Sequence, residues 1–275
     1  MFTVVLVIVG ILAGVLAGML GIGGGIIFAP ILYYVFELNE VQNPELWTIG
    51  SSLFCTTVTS LSGTLKHFQM NNIFIKESIR VGCFGVLGTI VGKTIATSAY
   101  FNQDVYITLF SILLLYTGGK FIHQALGKKV RTGKEINTRK ISWPQSINIG
   151  TGGGVVASLA GVGGGLIMVP VMSLYYKLPF PKTVSISESA IVIISFSGAF
   201  QLALSAPEAA GVSAFALGYV DFGASFALVI GAFAGANLGA WLHDRINLSY
   251  MQILFGFITF SAAGKMIYDA FFQAS

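Results

Sequence analysis

Apolar residues run along this chain in ten blocks separated by short polar breaks. In the first half the blocks cover about 2–20, 24–37, 47–68, 74–99 and 104–126. In the second half they cover about 143–160, 164–178, 183–205, 214–242 and 247–271. A block of about 20 apolar residues is what a helix needs to cross a bilayer core of about 30 Å. The pattern predicts an all-α polytopic membrane protein with about ten transmembrane or partial helices. The second block of each half is short: about 14 residues, rising about 1.5 Å each, reach roughly 21 Å. Both short blocks open on glycine, in "GIGGGIIFAP" (21–30) and "GVGGGLIMVP" (161–170). Glycine costs a helix about 1 kcal/mol against alanine, and a bilayer supplies no water to freed backbone groups. The two phrases therefore predict helices broken within the membrane.

The phrases belong to a repeat. Residues 10–30 match 150–170 with ten of 21 positions identical. The echo continues: "TIGSSL" (48–53) against "SISESA" (185–190), "SLSGTL" (60–65) against "SFSGAF" (195–200), and Gly88 and Gly92 against Gly235 and Gly239. "LF" at 109–110, followed by Gly119 and Lys120, stands against "LF" at 254–255, Gly264 and Lys265. The chain reads as an N-terminal repeat of five segments (1–126), a basic cytoplasmic linker (127–142) and a C-terminal repeat of five segments (143–275). Five is odd, so the halves should point in opposite directions.

Charge supports that inversion. With "GKKVRTGKEINTRK" (127–140) in the cytoplasm, the acidic loop "ELNEVQNPEL" (37–46) falls outside. Lys66, Lys76, Arg80, Lys177 and Lys182 fall inside, as do His243, Asp244 and Arg245. Lys93 and Lys265, toward the outer ends, are exceptions. The expected location is the cell (inner) membrane with both termini extracytoplasmic. An eight-span count, merging each broken pair, would put the basic 66–80 and 177–182 connections on opposite sides. The N-terminal block lacks a basic n-region and a clear cleavage site, so it reads as a retained segment. Composition agrees: 55% hydrophobic, 9% charged and a mean hydropathy of +0.81 exclude an ordinary soluble domain. The net charge of +4 is no nucleic-acid signal, because much of it sits in the linker.

Inverted repeats with broken helices are the plan of many secondary transporters, whose sites lie where the broken helices meet. A glycine run feeding a helix leaves backbone N–H groups unpaired at the helix start. Those donors and the helix dipole attract an anion, and glycine lets the backbone approach it closely. Gly23, Gly24 and Gly25, with Gly163, Gly164 and Gly165, are thus candidate substrate-binding residues. Close helix packing is the competing use of such glycines, and it fits "GILAGVLAG" (10–18) better. A Pro six residues on (Pro30, Pro170) can kink the short helix.

The hydroxyl-rich blocks add Ser51, Ser52 and Ser189 as candidate lining residues, with Gln201 and Asn237 reaching the same cavity. Bonding back to carbonyls is the bland alternative for any one of them. Glu188 and His67 are candidates for proton coupling, since an ionisable group inside a span is a functional hypothesis by default. No metal site, cofactor or catalytic set is expected: His67, His123 and His243 are scattered, and no nucleophile motif appears. Cys55 and Cys83 read as packing residues inside spans, with a sulfur-relay role as the alternative. The clustered Phe196, Phe200, Phe215, Phe222 and Phe226 either face lipid or line an aromatic-accepting cavity. Besides substrate and lipids, a homodimer is the one partner considered.

"GVLAGMLGIGGGIIFAPIL" (14–32) and "GVVASLAGVGGGLIMVPVM" (154–172) resemble the paired signature of the TauE/SafE sulfite exporter family, also called the toluene sulfonate uptake permease family. "TIGSSLFCTTVTSLSGTLKHFQMNNI" (48–73) resembles the segment that follows it. The resemblance covers nearly the whole chain. It implies transport of a small sulfur-containing anion such as sulfite, a sulfonate or sulfoacetate. A passive anion channel, or a permease for thiosulfate or another small oxyanion, is the alternative.

Overall fold

The computed structural model describes residues 2–70, 74–126, 141–207, 211–242 and 248–272. Residues 127–140 of the linker, and His243, Asp244 and Arg245, lie outside these. Among the described residues ten α-helices follow one another, five on each side of the linker. In the first half they are α1 (Phe2–Leu20), α2 (Gly25–Leu38), α3 (Pro44–Gln69), α4 (Ile75–Ala96) and α5 (Gln103–Leu126). In the second half they are α6 (Trp143–Ala160), α7 (Gly165–Pro170), α8 (Phe180–Ala203), α9 (Phe222–Leu242) and α10 (Leu248–Phe272). Five of them are long and apolar enough to cross a membrane. Large apolar side chains point outward along the bundle, among them Leu12, Ile112, Phe196 and Phe257, all more than 60% exposed. On a soluble surface so many would be a liability; facing lipid they are at home.

One boundary departs from the sequence pattern. The ninth apolar block, expected over about 214–242, starts as a two-stranded hairpin, β1 (Ala216–Leu217) paired antiparallel with β2 (Val220–Asp221), and is helical only from Phe222. The reason is local. Gly218 turns the chain with φ 55°, and Asp221 caps α9 by accepting the Ala224 N–H at 2.9 Å. The prolines also act differently in the two halves. Pro30 sits inside an unbroken α2, whereas Pro170 ends α7, and a π-helical turn, Val171–Tyr175, follows.

Helices associate in lipid by close packing rather than by the hydrophobic effect, so small residues set who touches whom. Gly10, Gly14 and Gly18 of α1 lie against the α9 backbone at Leu228, Ala232 and Ala236 in turn. Gly231, Gly235 and Gly239 of α9 lie against Val7, Ile11 and Val15. The two glycine ridges interlock, and the helices run in the same direction. The counterpart interface is built alike: Gly150 and Gly154 of α6 meet Val81 and Gly85 of α4, and Gly88 and Gly92 meet Thr151 and Val155. The packing use of "GILAGVLAG" is therefore the one observed. In contrast, α3 runs antiparallel to α8, since Gly63 faces Glu188 while Leu53 faces Gly198. α5 runs antiparallel to α10, with Gly118 beside Thr259 and Ile122 beside Gly256.

Candidate functional site

Both glycine phrases fold the same way. Gly21, Gly23 and Gly24 have φ of 69°, 83° and 78°; Gly161, Gly163 and Gly164 have 73°, 75° and 82°. Side-chain-bearing residues seldom adopt this left-handed conformation. It turns the chain from the end of α1 into α2, and from the end of α6 into α7. The Gly24 carbonyl accepts the N–H groups of Ile27 (3.0 Å) and Phe28 (3.2 Å). The Gly164 carbonyl accepts those of Ile167 and Met168, both at 3.1 Å. The amides of Gly25, Ile26, Gly165 and Leu166 precede these and have no carbonyl within their own helix to bond.

The two phrases touch each other. A methyl built on Gly25 would lie 2.6 Å from Val162 Cα and 2.7 Å from the Gly161 oxygen; one on Gly165 would lie 2.7 Å from Ile22 Cα. Each phrase is also tied down by a serine on the long helix of the other half. Ser52 on α3 donates to the Gly161 oxygen at 2.7 Å, and Ser187 on α8 donates to the Gly21 oxygen at 2.7 Å. This reciprocal pair fixes the repeat register. Ser52 answers Ser187, as Ser60 answers Ser195 and Gly63 answers Gly198, each 135 positions apart. The alignment of "TIGSSL" with "SISESA" is therefore two residues out, and Glu188 answers Leu53 rather than Ser51. Removing either hydroxyl leaves a buried carbonyl without its donor, so Ser52→Ala and Ser187→Ala should each cost about 1–3 kcal/mol. Matched falls in the melting temperature of the detergent-solubilised chain would check this.

Three hydroxyls flank the crossing. Thr56 lies against Gly23, Gly25 and Gly163; Ser60 lies against Gly23, and Ser195 against Gly163. All three are fully buried, and none of the three oxygens has a hydrogen-bond partner among the described residues. Buried hydroxyls are normally satisfied, and an unpaired one costs roughly 1–3 kcal/mol. Ile191 holds the position that answers Thr56, so the cluster is not symmetric.

Toward the C-terminal end of α3 lie the two ionisable candidates. Glu188 is fully buried on α8, with its carboxyl pressed onto the bare backbone of Gly63. Its Oε2 is 3.5 Å from His67 Nε2, and the His67 side chain is 1% exposed. This is an ion-pair separation rather than a hydrogen bond.

The remaining candidates lie elsewhere. Ser51 accepts the Asp221 N–H at 2.9 Å and so anchors the hairpin to α3. Gln201 donates to Thr89 Oγ1 (2.8 Å) and Ser197 Oγ (3.0 Å), joining α8 to α4. Asn237 is half-buried on α9, about 200° round the helix from the Gly235 that meets α1. Ser189 is half-buried beside Glu188, with its buried hydroxyl oxygen unpartnered among the described residues. Of the aromatic cluster, Phe196, Phe200, Phe215 and Phe226 are all more than half exposed, which is the lipid-facing arrangement. Cys55 is buried against Ser225, while Cys83 is exposed. Thr56, Ser60 and Ser195 were visible only as members of hydroxyl-rich blocks. The signal that singles them out is spacing: Thr56 and Ser60 share a face four residues apart, and Ser60 has Ser195 as its counterpart.

Comparisons with known proteins agree with one another. The family model described as Sulfite exporter TauE/SafE matches residues 6–266. A probable membrane transporter protein of Bacillus subtilis, YunE, is 26% identical over 98% of this chain and 99% of its own. One from Methanocaldococcus jannaschii is 26% identical over 70% of this chain and 69% of its own. One from Haemophilus influenzae is 24% identical over 74% and 76%. No solved structure gives a significant match.

Proposed function

The chain belongs to the sulfite exporter TauE/SafE family, and from that premise we propose a secondary transporter that carries a small sulfur-containing anion across the cell membrane by alternating access. The relatives support a multi-pass membrane transporter; the anion and the mechanism are our reading. The cargo class is sulfite, a sulfonate or a sulfoacetate-like ion. Gly23, Gly24 and Gly25 with Gly163, Gly164 and Gly165 form the core of the site, and both termini lie outside the cytoplasm.

The observation that carries the reading is the crossing itself. Two helix starts, whose first amides have no acceptor within their own helix, meet beside three buried hydroxyls that bond nothing else among the described residues. Amides and hydroxyls are what a tetrahedral or pyramidal oxyanion needs, and they hold it without a permanent buried cation. The opposed directions of α3 and α8, and of α5 and α10, support two inverted repeats exchanging access around the crossing. In this conformation the phrases touch and the hydroxyls are fully buried. The site is thus occluded, which favours a carrier over an open channel.

The test is uptake of labelled sulfite and of labelled sulfonates by proteoliposomes holding the purified chain. We expect counterflow, and accumulation against the anion's gradient when a proton or sodium gradient is imposed. Strictly downhill flux that never concentrates the anion would leave a channel, and no flux with any sulfur anion would overturn the reading.

A further inference from the structure

The repeat does not treat its two ends alike. On one side of the crossing Glu188 rests on Gly63 and reaches His67. The counterpart side has Leu53 resting on Gly198, and Leu202 answers His67. Leu53 and Leu202 are both buried. Thr64, whose buried oxygen also lacks a partner among the described residues, is answered by Ala199. A polar row of Thr56, Ser60, Thr64 and His67 therefore climbs one face of α3 at spacings of four, four and three. From the crossing it runs toward the C-terminal end of α3, and its mirror image, Ile191, Ser195, Ala199 and Leu202, is aliphatic beyond Ser195.

We infer that Glu188 and His67 form a proton-exchange dyad served from one side only, the side of the α3 C-terminus, and that the opposite gate is a dry leucine latch. The step is a plain transfer. Glu188, protonated on Oε2, gives its proton to His67 Nε2 and becomes a carboxylate. The resulting imidazolium releases a proton to water when that face opens. Uptake runs the same path backwards. In the closed state both groups are dry, so the proton stays with the pair.

Gly63 is what makes the geometry possible. Any Cβ there would occupy the place of the Glu188 carboxyl. The position answering it, Gly198, makes the same room for Leu53: a Cβ built there would lie 2.8 Å from a Leu53 methyl group. The same pocket in the fold is thus filled by a carboxyl at one end and by a hydrocarbon at the other.

Among the described residues, the other charges that α3, α4 and α8 carry at this end are Lys66 on α3, Lys76, Glu77 and Arg80 on α4, and Lys182 on α8. Arg80 lies over the Trp143 ring at 5.1 Å and Lys182 over the Phe74 ring at 4.7 Å. α1, α6 and α7, also packed against α8, carry no charged residue in their sequences. Glu45, Lys93 and Asp221 belong to the opposite ends of their elements.

The inference deepens the transport reading but is tested apart from it, by infrared difference spectroscopy on the full chain in oriented proteoliposomes. A titrating carboxylic-acid band is expected in the parent chain. It should vanish in Glu188→Gln, and its midpoint should move in His67→Gln. Glutamine keeps the shape of glutamate at 188 and an uncharged polar side chain at 67, and a melting curve confirms that each variant folds. A pH jump on the side bearing Lys66 and Arg80 should change the band at once; the same jump on the Glu45 side should change it only as the trapped pH follows. A band that answers equally fast from the Glu45 side, or that survives Glu188→Gln, would overturn the inference. None of these spectra requires an anion to bind, so failure of the cargo assignment leaves the test intact.

Discussion

Removing two hydroxyls together, Thr56→Val with Ser195→Ala, is expected to weaken anion binding roughly a hundredfold or more while leaving thermal stability unchanged or higher. The two effects separate because these oxygens bond nothing else among the described residues. A hydrogen bond to a charged group is worth about 1.5–3 kcal/mol, and 1.4 kcal/mol is tenfold in affinity. Two such bonds lost therefore remove at least two orders of magnitude. For the fold the balance runs the other way. An unpartnered buried hydroxyl is a cost, and replacing it by a methyl (Thr56→Val) or deleting it (Ser195→Ala) removes that cost. Valine keeps the Thr56 methyl that packs against Gly23 and Gly163. Titrating sulfite or a sulfonate against the purified protein while following its melting temperature reads both quantities. Binding that survives the double variant would dismiss the crossing as the anion site. A matching fall in melting temperature would show the hydroxyls to be structural.

Much of the architecture was legible in the sequence because membrane helices advertise themselves by length. The sixth helix begins and ends where the apolar block does, and the fourteen residues of α2 match the short second block within one position at each end. The ninth block misled for a physical reason. "SAFALGYVDFG" is as apolar as a helix, and only the turn at Gly218 and the cap at Asp221 reveal that its first part is a hairpin. The site was legible in outline and not in register. Composition pointed to hydroxyls in both long helices, but single-letter similarity paired Ser51 with Glu188. Only the two reciprocal hydrogen bonds, Ser52 to Gly161 and Ser187 to Gly21, give the frame in which Glu188 answers Leu53. The asymmetry between the two gates depends on that shift of two residues.

Leucine at Gly14 or at Gly154 is expected to abolish recovery of folded protein, whereas leucine at Gly119 or Gly264 is expected to be tolerated. The four positions are all helical glycines, so propensity and hydropathy change equally and in the favourable direction. Insertion into the membrane is helped in every case, and any loss reports packing. At Gly14 a Cβ would strike the Ala232 carbonyl, and it would lie 2.8 Å from the Ala236 nitrogen; at Gly154 it would strike the Gly85 carbonyl, with the Thr89 nitrogen at 2.9 Å. These neighbours are backbone and have no rotamer to yield. Relief requires the paired helices to separate, which breaks the interlocked ridges along their whole length. Overpacking ordinarily costs about 1–3 kcal/mol and more where nothing can give. Gly119 and Gly264 have nothing within 4 Å of the same methyl, so their variants keep the fold or gain roughly 1 kcal/mol from helix propensity. Size-exclusion profiles of the four detergent-solubilised variants decide the matter. Equal damage at Gly14 and Gly154 is the stronger outcome, because it would show that the α1–α9 and α4–α6 interfaces carry the same load. Tolerance at Gly14 comparable to that at Gly119 would refute the ridge packing, and with it the rigid frame against which the two crossing glycine phrases are held.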